Sequence, residues 1–309
     1  MILTGDETCG RRWALAAVGL HGGDGTGAGA DYDPARMVEQ GDVNVVTVNY
    51  RLGAFGNFAL PQLGSSADFG TQDQLAALWW VKQNAAAFGG DPGNVTVFGE
   101  SSGAFATCAL LSSPDAVGLV QRAIIDSSSC SAYFPKNTVA PGLGRHTLFT
   151  PLAQAQAAGT AVGGKFGCAT GADVLACLRR VPAKAWLDGG YTEVFTATPY
   201  GTPVLPAPSE MAMRERRIAG VPVLFGTNRD ELRLDVAAAA ATAAQQDLSR
   251  TMIGHWTRFA RTGDPNGPGL PAWPKYADGA RVQRFAPGKP GPVDAETTFK
   301  CALWRSVGQ

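Results

Sequence analysis

The amino-acid sequence predicts an α/β protein with a mostly parallel central sheet and helices on both faces. Its short apolar runs do not alternate apolar with polar residues, which is expected of strands that are buried on both sides. Helical patterns lie between these runs, and alternation of strand and helix is typical of a parallel sheet. The predicted strands occupy residues 13–20, 43–49, 95–99, 122–127 and 221–227.

Size and charge exclude several classes of protein. The 309 residues suit one large α/β domain or two small ones, and we expect a single domain over 1–309. The formal net charge is zero and only 17% of the residues are charged, so nothing attracts nucleic acid or an anionic membrane. We expect no transmembrane segment and find no signal-peptide pattern, so the chain is not exported or its true start is missing.

Three regions follow from the order of the patterns. Residues 1–130 form the sheet core, which includes a predicted helix at 71–90 that Gly89-Gly90 ends. Residues 131–215 are rich in Ala, Gly, Pro and Thr and are expected to be an excursion over the sheet, with helical patches at 151–163 and 171–188. Residues 216–309 carry the last predicted strand and C-terminal helices.

The third predicted strand ends in Gly99-Glu100-Ser101-Ser102-Gly103, a G-x-S-x-G pattern that precedes an apolar helical start. A serine hydroxyl is a poor nucleophile at neutral pH, so it needs a base, a group that orients the base, and donors for an oxyanion. A sharp strand-to-helix turn exposes the serine Oγ, and the glycines let the backbones approach closely. The pattern predicts Ser101 as a nucleophile, with a plain serine-rich turn as the alternative.

A glycine-rich loop, His21-Gly22-Gly23-Asp24-Gly25, follows the first predicted strand. Backbone N–H groups in such a loop can hold a developing oxyanion together with the N–H of the residue after the nucleophile. The alternative is a flexible loop without a chemical role.

The same loop also matches the looser dinucleotide fingerprint, as Gly23-x-Gly25-x-x-Ala28. Asp42 lies roughly where an acid that binds the ribose would be expected. The helix that should follow the glycines is poor, because Pro34 lies inside it.

The acidic pair Asp230-Glu231 follows the last predicted strand. A carboxylate at this position could orient a histidine, and serine before acid is one of the known orders of a catalytic triad. The alternative is that Asp230 and Glu231 are an ordinary acidic pair on the protein surface.

The cysteines and histidines do not form a pattern for a metal. None of the six cysteines forms a C-x-x-C pair and there are only three histidines, so we expect no metal site. Cys168 and Cys177 are nine positions apart around a helix-like stretch. That spacing fits a local disulfide and two buried free thiols equally well.

Taken together, these segments resemble the type-B carboxylesterase family of α/β-hydrolases, which includes the cholinesterases. The resemblance implies the α/β-hydrolase fold and a carboxylic-ester hydrolase that acts on a small-molecule ester without a cofactor. The matching segments follow one another in the same order: HGG at 21–23, VVTVNYRLGAFGN at 45–57, DQLAALWWVKQNAAAFGGDPGNVTVFGESSG at 73–103, GLVQRAIIDSS at 118–128, GCATGADVLACLRRVP at 167–182, VPVLFGTNRDE at 221–231, FARTGDPN at 259–266 and AWPKY at 272–276.

The resemblance also implies roles for single residues. Ser101 matches the nucleophile of the family and Glu231 its triad acid. Gly23, Asp24 and Ser102 match the three backbone donors of the oxyanion hole. The family often has Gly or Ala at the position of Asp24 and usually Ala at that of Ser102, and only the backbone N–H is required there.

The pair Cys168 and Cys177 matches a disulfide of the family, which favours the bonded alternative for these two cysteines. Disulfides form and persist in oxidising compartments. This pair therefore points weakly to a secreted or extracellular protein.

Two stretches of the family pattern are missing, so we expect a truncated chain whose sheet lacks edge strands. Only 20 residues precede HGG, and Glu231 is 28 positions from Phe259, where the family has a long helical stretch, a strand and the catalytic histidine. His21 belongs to the predicted oxyanion loop and His146 matches no family position. His255 follows the acid, but the family usually has an aromatic residue on a helix there.

Two functions are compatible with this pattern. The first is a serine carboxylesterase that forms an acyl-enzyme intermediate, with His255 as a substitute candidate for the base. The second is a catalytically inactive carboxylesterase-like binding protein that lacks the triad histidine.

Overall fold

The computed structural model describes residues 2–3, 14–21, 27–128, 130–131, 147–168, 173–191, 193–227, 242–276 and 281–299. The strands are β1 (Ile2–Leu3), β2 (Ala14–Leu20), β3 (Val43–Val48), β4 (Gly90–Glu100), β5 (Arg122–Asp126), β6 (Phe149–Pro151), β7 (Thr198–Tyr200), β8 (Val223–Gly226), β9 (Arg281–Arg284) and β10 (Gly291–Asp294). The helices are α1 (Ala35–Gly41), α2 (Gly53–Asn57), α3 (Phe69–Asn84), α4 (Ser102–Ser112), α5 (Leu152–Lys165), α6 (Val174–Arg179), α7 (Ala183–Asp188), α8 (Ser209–Arg214), α9 (Ala243–Thr262) and α10 (Ala295–Phe299).

A six-stranded sheet with the strand order β1-β3-β2-β4-β5-β8 forms the centre of the fold. All neighbours are parallel except β1, which pairs with β3 in the antiparallel direction. The five predicted strands are the five parallel ones. The sequence did not predict β1, because two residues are too few to show a periodic pattern.

Helices cover both faces of the sheet, as predicted. Because side chains alternate along a strand, Val95 and Val97 of β4 pack in the core under α3 and α4. Phe98, the residue after Val97, points to the opposite face and packs against the cluster that contains Phe259 of α9. Helix α1 lies beside α9 on that second face, where Val38 and Ala260 share one cluster.

The helix predicted at 71–90 begins earlier and ends as expected. It starts at Phe69, runs to Asn84 and continues as a short 3-10 turn to Phe88. Gly89 ends it in the left-handed conformation, with φ 74°, where glycine has no steric penalty.

The excursion contains helices close to the predicted patches. Helix α5 covers the first patch, whereas the second patch is divided into α6 and α7. Pro182 causes the division, because it has no N–H and adopts an extended conformation before α7. The assignment of 131–215 as one excursion remains a prediction, since residues 132–146 lie outside the part of the chain that the structure describes.

Candidate active site

The direction in which strands are added to the sheet reverses at β2. This strand lies between β3 and β4, so the chain moves to one side of β2 to form β3 and crosses back to form β4. In parallel sheets, ligands bind outside the carboxyl ends of the strands where the order reverses in this way. Leu20 ends β2 and Glu100 ends β4, which places His21 and Ser101 at this point.

Ser101 has the backbone geometry of a strained strand-to-helix turn. Its φ of 54° and ψ of −122° are rare for a residue with a side chain, and such conformations occur mainly at functional sites. Ser101 precedes α4, yet its side chain makes no capping hydrogen bond to the helix, although serine commonly does so at this position. The Oγ is therefore not engaged by the helix that it precedes.

Both glycines of the pattern are needed for close contacts between backbones. A Cβ on Gly99 would overlap the carbonyl group of Gly103 on the next turn of the chain. A Cβ on Gly103 would overlap the carbonyl oxygen of Leu20. Helix α4 thus lies directly against the end of β2, from which the glycine-rich loop departs.

Backbone hydrogen bonds fix Ser101 between β5 and α4. Its N–H donates to the carbonyl of Asp126 at 3.1 Å, and its own carbonyl accepts from Ala104 and Phe105 at 3.0 and 3.2 Å. Ser102 is the first residue of α4. The N–H groups at the start of a helix point outward and carry partial positive charge, so they favour an anion.

Two consecutive residues after β3 bind both ends of the glycine-rich loop. The ring of Tyr50 stacks on that of His21 with centroids 4.5 Å apart, and its hydroxyl donates to the His21 carbonyl at 2.9 Å. Burial raises the pKa of Tyr50 well above its usual value, with a smaller contribution from Tyr32, so the hydroxyl stays a donor. Asn49 Oδ1 accepts a hydrogen bond from the Gly29 N–H at 2.7 Å.

Several predicted site residues fall outside the described ranges: Gly23, Asp24 and Glu231. His146 does so as well. The loop that carries Gly23 and Asp24 is described at both ends, through His21 and residues 27–29. Thr227, four positions before Glu231, follows β8 at the same edge of the sheet as Ser101. The roles of these residues stay predictions.

The surroundings of His255 do not favour it as a substitute base. It is fully buried on α9, where Nδ1 lies 2.9 Å from the carbonyl oxygen of Pro265 and Nε2 has no partner. Its ring packs edge-on against Trp273 and Phe285. Burial lowers the pKa of His255, and the hydrogen bond with Pro265 offsets this only in part.

Asp126, which was not predicted as a site residue, lies beside the strand-to-helix turn of Gly99–Gly103, the nucleophile elbow. It is the register partner of Glu100 on β4. Its Oδ2 accepts a hydrogen bond from Trp256 Nε1 of α9 at 3.0 Å. Burial raises the pKa of Asp126, and the bond from Trp256 opposes that shift. Asp126 therefore links the turn that carries Ser101 to helix α9.

Two disulfides are found among the residues that the structure describes. One joins Cys168 and Cys177, the pair that the resemblance implied. The other joins Cys108 of α4 and Cys130, with Cα atoms 5.3 Å apart. Its spacing of 22 residues follows no recognisable pattern, and only the predicted positions of α4 and β5 could have indicated it.

The dinucleotide interpretation of the glycine-rich loop does not fit the topology. Asp42 precedes β3, in the left-handed conformation that ends α1. It therefore lies at the amino end of β3, whereas an acid that binds a ribose is needed at the carboxyl edge. Helix α1 begins at Ala35 and not at the end of the glycine pattern.

The residues that the structure describes contain neither a group of metal ligands nor a helix that could span a membrane. No three His, Cys, Asp or Glu side chains in these ranges are grouped to hold a metal ion. No helix within the same ranges combines the length and the apolar character needed to cross a bilayer.

Comparison with known proteins gives one consistent result. The family model described as "Carboxylesterase family" matches residues 17–243. The para-nitrobenzyl esterase of Bacillus subtilis (strain 168) is 39% identical over 244 residues, which cover 76% of this chain and 47% of that protein. Carboxylesterase 5A of Felis catus is 26% identical over 373 residues, or 81% of this chain and 66% of that one. A solved structure titled "thermophylic PNB esterase" aligns with a TM-score of 0.82 at 24% identity, over 97% of this chain and 81% of that chain.

These comparisons concern the fold and the family of the chain. The solved structure shares the α/β-hydrolase fold. The chain spans between about half and two thirds of the length of the two relatives, at 47% and 66%. The family model covers well over half of the 309 residues and includes Ser101 with both of its glycines. The chain therefore belongs to the carboxylesterase family.

Proposed function

We propose that the chain hydrolyses carboxylic esters with Ser101 as the nucleophile. The backbone of Ser101 carries this proposal: a serine at φ 54° between β4 and α4, whose Oγ does not cap the helix. A strained residue with a free hydroxyl at the carboxyl edge of a parallel sheet has no structural role that glycine would not fill better.

In the first step Ser101 Oγ bonds to the carbonyl carbon of the ester, and its proton passes to a general base. The carbonyl oxygen becomes an oxyanion, which backbone N–H groups stabilise. We assign these donors to Ser102, at the positive end of α4, and to Gly23 and Asp24 of the loop after β2. The described ends of that loop support the assignment, because Gly103 holds α4 against Leu20 at its start.

The intermediate then breaks its bond to the alkoxy oxygen, which leaves as an alcohol with the proton from the base. The acyl group stays on Ser101 Oγ. Water then attacks the acyl carbon and gives a proton to the base. The bond between the acyl carbon and Ser101 Oγ breaks, the carboxylic acid leaves, and the base returns the proton to Oγ. We propose that Glu231 orients the base in both steps. His255 does not supply it, because Nδ1 is bonded to Pro265 and Nε2 is buried.

We propose a small-molecule ester as the substrate, because the chain belongs to the carboxylesterase family. A small-molecule ester requires only the nucleophile, the base and the oxyanion donors, and none of these steps needs a cofactor. We also propose that the protein matures in an oxidising compartment, since both of the observed disulfides would be kept reduced in a glutathione-rich cytosol.

Turnover of an activated aryl ester tests this function. We expect the purified protein to release the phenol, Ser101→Ala to lose this activity, and Ser65→Ala, at an exposed serine outside the site, to keep it. If the folded wild-type protein does not release the phenol above the uncatalysed rate, the inactive binding protein becomes the better interpretation of the family match.

A further inference from the structure

The disulfide between Cys108 and Cys130 lies in the core next to the elbow. Cys108 is seven residues after Ser101, or about two turns along α4. Cys130 is four residues after Asp126, the last residue of β5. The two cysteines are 0% and 4% exposed, so the bond is sealed from solvent.

A hydrogen bond joins the same two segments at their other end. The N–H of Ser101 donates to the carbonyl of Asp126, where β4 and β5 pair in register. The chain therefore forms a ring, which runs from Ser101 along α4 to Cys108, across the disulfide to Cys130, and back through the turn to Asp126.

Backbone strain is concentrated in this ring. Ser101 has φ 54° and Ser127, directly after Asp126, has φ 53°. They are two of the four non-glycine residues with positive φ in the described ranges. Residues in such conformations persist only when the surrounding structure fixes them from several directions.

Apolar packing and a covalent bond hold α4 in different ways. Leu110 and Leu111 of α4 are buried in the core cluster under the sheet, and such contacts are favourable but non-directional. A covalent bond from Cys108 to the exit of β5 adds a fixed distance to these contacts. This bond reduces the number of positions that α4 can take relative to β5.

We propose that the Cys108–Cys130 disulfide positions the nucleophile by holding α4 in the register that keeps Ser101 strained and its Oγ free. The two cysteines are positioning residues, and they act through Ser101. This inference rests on the proposed function only where it concerns reactivity. The claim about the backbone of Ser101 stands without it.

The second disulfide provides a matched control. Cys168 follows α5 and Cys177 lies on α6, within a separate cluster that includes Trp186. Its removal should also lower stability, because a disulfide constrains the unfolded chain wherever it lies. It has no path to the elbow comparable with the ring described above.

The experiment compares the double variants C108A/C130A and C168A/C177A with the wild-type protein. The rate constant for covalent attachment of a fluorophosphonate to Ser101 is measured by intact mass, well below each unfolding midpoint. We expect C108A/C130A to react about 10-fold to 100-fold more slowly, the loss expected when a reacting group is misplaced by about 1 Å. We expect C168A/C177A to react at a rate similar to that of the wild type.

A further variant separates the lost bond from the cavity that alanines leave. Cys108→Val combined with Cys130→Ala restores most of the buried volume without a disulfide. We expect this variant to melt higher than C108A/C130A and to remain slow toward the fluorophosphonate. Recovery of the wild-type rate would overturn the proposal, because packing alone would then position the nucleophile.

Hydrogen exchange at the Ser101 amide is the readout that does not depend on catalysis. This amide donates a hydrogen bond to the carbonyl of Asp126. In C108A/C130A we expect it to exchange through local opening, faster than global unfolding alone would permit. In C168A/C177A we expect no exchange faster than global unfolding permits. Unchanged protection in folded C108A/C130A, or equal loss in both variants, would overturn the proposal. If the wild-type protein does not react with the fluorophosphonate, the proposed function fails, and the exchange result still decides the positioning claim.

Discussion

Gly103 of α4 lies so close to Leu20, the last residue of β2, that a Cβ on the glycine would overlap the leucine carbonyl oxygen and lie 2.8 Å from its carbon. This contact joins the helix behind the nucleophile to the strand that leads into the glycine-rich loop. The elbow and the start of the loop are therefore one packed unit, as a preorganised oxyanion site requires.

We expect Gly103→Ala to lower the free energy of unfolding by roughly 1–3 kcal/mol, because the methyl group has no room between α4 and β2. Gly220→Ala is the matched control: a Cβ there meets nothing within 4 Å, and its effect should be small. Urea unfolding of both variants measures the difference. Equal stability of the two would show that α4 can move away from β2 without cost.

Ser101→Gly should be more stable than Ser101→Ala by about 1 kcal/mol, because only glycine adopts φ 54° and ψ −122° without strain. Both variants lose the hydroxyl, so their comparison isolates the backbone. Thermal or urea unfolding gives the result. If alanine proves at least as stable as glycine at this position, the elbow is not strained in solution.

Tyr50→Phe should lower stability by about 0.5–1.5 kcal/mol, because the phenyl ring keeps the stack on His21 but loses the hydrogen bond from the Tyr50 hydroxyl to the His21 carbonyl. Tyr276→Phe, at a side chain that is 77% exposed, should have little effect. Urea unfolding compares the two. A neutral Tyr50→Phe would mean that water or another donor replaces the hydroxyl.

His255 should make the protein less stable in mild acid. Burial lowers its folded-state pKa below 6.5, its ordinary value, so at pH values between the two the unfolded chain binds more protons. The stabilisation is therefore complete above about pH 6.5 and is lost progressively as the pH falls toward the folded pKa. Urea unfolding at pH 7.5 and 5.5 measures the loss, which we expect to be smaller in His255→Gln. The same loss in both proteins would assign it to other groups.

Much of the fold was predictable because its signals are local. Five parallel strands appear as apolar runs, and the 3-10 turn that follows α3 ends at the predicted Gly89. The division of the second helical patch at Pro182 was equally local but was missed. The two-residue β1 carries too little pattern to be detected from sequence.

The candidate site was predictable only where the motif is continuous. Ser101 and its glycines are within five consecutive residues, so their geometry follows from one strand-to-helix turn. The bond between Cys108 and Cys130 depends on the packing of α4 beside β5, and the burial of His255 depends on Trp273 and Phe285. Such contacts join residues far apart in the chain, and no spacing rule contains them.

The central claim is that Ser101 is an activated nucleophile, and covalent labelling with a fluorophosphonate tests it most directly. These probes react with activated serine hydroxyls, and peptide mapping identifies the modified residue. The account predicts one adduct per chain on Ser101, none in Ser101→Ala, and an unchanged rate in His255→Gln. A folded wild-type protein without an adduct, or with the adduct on another serine, would contradict it.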